Sequence, residues 1–83
     1  MYFVYIKKNE EGKLYIGFTA DIEARLKAHR EGKTTSTKGH KWELVYYEAY
    51  KSVGDARKRE QQLKEHGQAK RWLKQRIAKS LQE

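Results

Sequence analysis

Two tyrosines ten residues apart, each inside a short apolar run, are the side chains of this sequence best placed to do chemistry. The runs read Val4-Tyr5-Ile6 and Tyr15-Ile16-Gly17, Arg25 and His29 follow one helical turn apart, and Glu60 stands well downstream. A guanidinium holds phosphate oxygens well, and a lone carboxylate suits a hard cation that keeps most of its waters. A tyrosine pair, an arginine and one carboxylate therefore suggest metal-assisted attack on a phosphodiester. The competing reading is structural: Arg25 and Glu60 could form a partly buried ion pair, with His29 a hydrogen-bonded spectator.

The elements that must position these residues are short. Residues 2–8, rich in Tyr, Phe, Val and Ile, read as a strand with apolar residues on both faces near its start. Asn9-Glu10-Glu11-Gly12-Lys13 supplies a turn, with Gly12 able to take positive φ, and residues 14–18 read as the second strand of an antiparallel hairpin. Thr19 reads as a helix N-cap, followed by Asp21 and Glu23, and the helix should stop at Gly32. Residues 32–41 read as a polar, basic surface loop. Residues 42–50 read as a third strand, in which Trp42, Leu44 and Tyr46 alternate with Glu43, Val45 and Tyr47. Ser52 and Asp55 fit a capping box for a helix ending near Gly67, and a last helix covers residues 68–82. The order β-β-α-β-α-α predicts an α+β domain, with helices packed on a small sheet.

Two helices break their own pattern. The stripe of the first helix that should face the core is Ile22, Arg25, Leu26 and His29, and that of the second is Val53, Ala56, Glu60 and Leu63. An inward charge costs several kcal/mol unless it is paired, hydrogen-bonded or opens onto a cleft. Local rules fail preferentially at functional sites.

The 83 residues leave room for one domain, residues 1–83. The absence of cysteine excludes disulfides and thiolate metal sites and fits a reducing compartment. Met1-Tyr2-Phe3-Val4-Tyr5 offers neither a charged n-region nor a long apolar stretch, so a soluble cytoplasmic protein without membrane association is expected. The net charge is +8, with nine Lys and Arg against seven Asp and Glu in residues 1–50, and ten against four in residues 51–83. Such a balance favours phosphate-rich partners. Lys33, Lys38 and Lys41 of the loop, and Arg57, Lys70, Arg71 and Lys74 of the last helices, are the candidate backbone contacts. Gly17 could be a bulge or a point of close approach by a ligand or another backbone. Trp42 and Trp72 could stack on bases, although packing on the sheet is the better reading of Trp42.

In this order and at these intervals, Val4-Tyr5-Ile6, Tyr15-Ile16-Gly17, Arg25, His29 and Glu60 resemble the GIY-YIG nuclease superfamily. Further along, Trp42-Glu43-Leu44-Val45-Tyr46-Tyr47-Glu48 and residues 56–64 resemble its small stand-alone bacterial members, the URI-domain or excinuclease-C-like group. The resemblance implies a three-stranded antiparallel sheet flanked by helices. It also implies divalent-metal-dependent cleavage of phosphodiester bonds in nucleic acid, with DNA the favoured form. Tyr5, Tyr15, Arg25, His29 and Glu60 would be catalytic, and Glu60 would be the sole protein ligand of one Mg²⁺ or Mn²⁺. Tyr5, Tyr15 and His29 all stay open as the base. A nucleic-acid-binding module that keeps the fold without catalysis is the alternative, and a protein partner could supply specificity.

Overall fold

A computed structural model describes residues 1–30 and 41–82, residues 28–30 by backbone alone. Three strands, β1 (Tyr2–Asn9), β2 (Leu14–Thr19) and β3 (Trp42–Tyr50), form one antiparallel sheet in the order β2-β1-β3. Helix α1 (Ile22–Arg30) joins β2 to the segment before β3, and α2 (Val53–Glu65), α3 (Gly67–Arg76) and α4 (Ala78–Gln82) follow β3. This is the expected α+β architecture, with the last helix divided in two.

Alternation along the central strand sorts the molecule into two faces. Val4 and Ile6 of β1 and Ile16 of β2 point to the helix-covered face and bury against Ala56, Leu63, Leu73 and Ile77. Phe3, Tyr5 and Lys7 point the other way. The hairpin fixes this register through its turn. The Asn9 side-chain oxygen accepts from the N–H groups of Glu11 and Lys13, both at 2.9 Å, and Gly12 takes φ +84°. Asn9 thus substitutes for the backbone partners that a tight loop cannot offer itself.

Several local expectations are corrected. Thr19 ends β2, and Asp21 caps α1 instead, its Oδ1 accepting from the Ala24 N–H at 3.0 Å. The Thr19 hydroxyl is engaged in its own turn with the Asp21 backbone. Ser52 does sit at the N-cap of α2 but makes no side-chain capping bond; Asp55 is one methylene shorter than the Glu that closes a capping box. The last helix breaks at Ile77 (φ −109°, ψ 26°), a β-branched residue held in the core, and the Lys8 ammonium donates to the Leu81 carbonyl beyond the break. The expected stop of α1 at Gly32 lies outside the described residues. Among the described residues, no helix is long and apolar enough to cross a membrane.

The third strand does not alternate evenly. Ile6 pairs with Tyr46 but Lys7 pairs with Leu44, so Val45 is an extra residue at a bulge. Downstream of it, Tyr46, Glu48 and Tyr50 face the helices. Upstream, Leu44 and Trp42 turn to the opposite face. On the helix side, Arg59 of α2 donates through Nε and Nη2 to the two Glu48 carboxylate oxygens at 2.9 and 3.1 Å. Tyr46 donates to the same carboxylate at 2.6 Å, and the Tyr50 hydroxyl donates to it as well. Burial opposes ionisation of Glu48, but the bonds from Arg59, Tyr46 and Tyr50 outweigh it and hold its pKa below the ordinary value. Burial and the bond to Glu48 push both phenols up to about 12.

Candidate active site

The face away from α2 and α3 carries the signature tyrosines. Tyr5 pairs with Gly17 and Lys7 with Tyr15 across the hairpin, so both rings stand on one face, centroids 6.4 Å apart and tilted by 42°. Gly17 makes this possible. A β-carbon there would lie 2.4 Å from both Cζ and Oη of Tyr5, so the Tyr5 ring itself occupies the space that a side chain would fill. Gly17→Ala should therefore displace Tyr5 and cost roughly 1–3 kcal/mol of stability, the usual cost of overpacking. A thermal melt and the loss of whatever activity depends on Tyr5 check this; an unchanged melt would show that the ring is free to move.

The two phenols are not equivalent. Tyr5 is 4% exposed and Tyr15 is 41% exposed. Burial raises the pKa of Tyr5; the Arg25 charge pulls it down, Tyr15 and Glu60 push it up, and the balance is upward. Tyr5 is thereby held as a neutral hydrogen-bonding phenol. Arg25 and Glu60 both lie near enough to act on it, so α1 and α2 bring their opposite charges to the same ring.

Arg25 itself is exposed, not packed inward as its stripe predicted. Ile22 and Leu26 of α1 are half-buried, while Arg25 between them is exposed. Glu60 is the half-buried member of its stripe, as expected, but its partners are local. Arg57 reaches Oε1 at 3.2 Å and Lys64 reaches Oε2 at 2.9 Å, so Glu60 pairs along its own helix and not with Arg25. The Arg57 guanidinium also lies 3.8 Å from the centre of the Phe18 ring. The side chain of His29, and all of Lys33 and Lys38, lie outside the described residues. Lys41, Arg71 and Lys74 are exposed and Lys70 is half-buried, the last three on α3.

Lys7 is the residue that sequence reasoning missed. It is 5% exposed, with Nζ 5.0 Å from the centre of the Tyr15 ring and 6.0 Å from those of Tyr5 and Trp42. Burial, and then the Arg25 charge, lower its pKa. Alternation did place Lys7 on the Tyr5 face, but a lysine near a strand end reads as solvated. Trp42 joins the same cluster, edge-to-face with Tyr15 at 6.3 Å and 70°. Simple alternation would have laid it with Tyr46 on the helix side; the bulge at Val45 turns it to the site.

Among the described residues, no group of three or more His, Cys, Asp or Glu could cage a metal ion. A hydrated Mg²⁺ needs no cage and accepts one hard carboxylate. Glu60 fits that role chemically: it is a carboxylate whose present partners, Arg57 and Lys64, are exposed side chains.

The chain belongs to the GIY-YIG family, a nuclease superfamily: the GIY-YIG catalytic domain matches residues 1–77. Among similar proteins, a UPF0213 protein of Staphylococcus epidermidis (strain RP62A) is 43% identical over 65 residues, covering 76% of this chain and 79% of the relative. A UPF0213 protein of Staphylococcus aureus (strain N315) is 38% identical over 72 residues, covering 84% and 88% respectively. No solved structure matches the chain.

Proposed function

We propose that this protein is a divalent-metal-dependent endonuclease that hydrolyses phosphodiester bonds in DNA. The observation that carries the reading is geometric: the two signature phenols stand on one sheet face, ring centres 6.4 Å apart, with Gly17 leaving the room that the inner ring fills. Glu60 would hold the ion. When bound, Mg²⁺ or Mn²⁺ supplies positive charge to the scissile phosphate and to the leaving oxygen. Arg25, at the rim, holds a non-bridging oxygen and offsets charge as it develops. Tyr15, open to water, acts in its phenolate form and takes the proton of the attacking water to become the phenol, while Tyr5 donates a hydrogen bond that fixes that water or the phosphate. The water oxygen forms the new bond to phosphorus in line with the oxygen that departs.

Lys7 has a supporting part here, pinning the Tyr15 ring and placing a cation beside its phenol. Lys7→Met keeps the apolar stem and removes the charge, and a thermal melt checks that the fold is kept. Cleavage should fall by roughly tenfold, the scale of a desolvated cation–π contact. Unchanged turnover in Lys7→Met would remove Lys7 from the reaction.

A binding module without turnover is favoured by one observation, the ion-paired state of Glu60. The two readings separate on labelled single-stranded, duplex and branched DNA incubated with Mg²⁺, with Mn²⁺ and with EDTA. Metal-dependent strand scission supports the enzyme; salt-sensitive binding indifferent to EDTA, without scission, supports the module.

A further inference from the structure

Outside the Tyr5–Tyr15 face, α3 presents a large aromatic side chain to solvent. Trp72 is 60% exposed there, an unusual place for the largest apolar side chain in a helix whose other apolar residues, Ala69 and Leu73, turn inward. Its surroundings have one sign of charge. Residues 66–82 contain Lys70, Arg71, Lys74, Arg76 and Lys79 and no Asp or Glu. Arg76, one helical turn beyond Trp72, is exposed, as are Arg71 and Lys74. No acidic residue of this segment neutralises the cations, in contrast to α2, where Glu60 accepts from Arg57 and Lys64. Cations alone would track any phosphate backbone. A bare indole among them adds a flat face that unpaired bases can cover and that bases stacked within a duplex cannot reach.

We infer that the Trp72 side of α3 is a single-strand binding platform, in which Trp72 stacks on an unpaired base while Arg76, one turn further along the same side, and the neighbouring Arg71 hold the flanking phosphates. The inference rests on nucleic acid being the partner but not on cleavage. It would bias the protein toward single strands, frayed ends or junctions.

The test is binding in EDTA of a labelled oligothymidylate and of a duplex of equal length, followed by anisotropy and by tryptophan fluorescence. Trp72→Ala should weaken single-strand binding about tenfold and duplex binding by less than about twofold, with Trp72→Tyr restoring most of the loss. The variants are expected to fold normally, because the side chain is exposed; a thermal melt checks this. Wild type should show indole quenching on the single strand that Trp72→Ala lacks. Equal losses on both DNAs, or no loss and no quenching, would overturn the platform. Trp72-dependent single-strand binding in a protein that never cleaves would sink the nuclease reading alone.

Discussion

Glu60→Gln should reduce metal-dependent cleavage by about a hundredfold to a thousandfold, the scale of removing one preorganised electrostatic group, while leaving the fold intact. The amide keeps the shape of the carboxylate and can still accept from Arg57 or Lys64. What it loses is charge, and with it the acidic oxygen ligand that this reading assigns to the metal. The structural cost is small, because pairs at i,i+3 and i,i+4 with exposed partners contribute only about 0.3–0.5 kcal/mol each. Cleavage assays in Mg²⁺ beside a thermal melt give both numbers. A variant that cuts as fast as wild type would show that the metal, if used, is held elsewhere.

The largest effect on stability is expected at Glu48, on the opposite face of the sheet. Glu48→Ala strands the Arg59 guanidinium and the Tyr46 and Tyr50 hydroxyls, all of which donate to that carboxylate. Loss of one partner in a mostly buried network of this kind costs about 2–3 kcal/mol. For a domain of this size that is a fall of roughly 8–24 °C in melting temperature. The pH dependence follows from the directions of the shifts. The folded pKa of Glu48 is depressed, so its contribution is present above the ordinary carboxylate value and is lost as pH falls through the lower folded value. The phenols behave in the opposite sense: with Tyr46 and Tyr50 raised from 10.0 to about 12, their contribution is present below pH 10 and disappears as pH climbs toward 12. Urea unfolding across both ranges should show two declines in wild type and a loss of the acid step in Glu48→Ala. A variant with the wild-type acid profile would mean that Glu48 is not the group responsible.

Much of this was legible in the residues. The β-branched and aromatic run of Val4 to Ile6 marks a central strand, Gly12 marks the turn, and Glu60 betrays itself as the charge in an otherwise apolar stripe. These are local patterns with strong physical causes. What was illegible depends on partners far along the chain. Arg25 fitted an inward stripe, yet it is exposed while its stripe neighbours Ile22 and Leu26 are half-buried. Thr19 has the chemistry of a cap, yet β2 claims it and Asp21 takes its place. The coincidence of Tyr5 and Tyr15 on one face needed a register that only the Asn9 turn sets. The place of Lys7 is illegible in the sequence because nothing in its neighbourhood announces three rings arriving from three strands.

The supernumerary residue in β3 has an evolutionary corollary. Val45 acts as a half-step in phase: the strand addresses the scaffold on one side of it and the reaction surface on the other. Deleting or inserting a single residue between Trp42 and Tyr46 would rotate the indole out of reach of Tyr15 and Lys7. The carboxylate network around Glu48 would stay where it is. Length variation confined to these few positions could thus retune the chemistry of the protein without endangering its ability to fold.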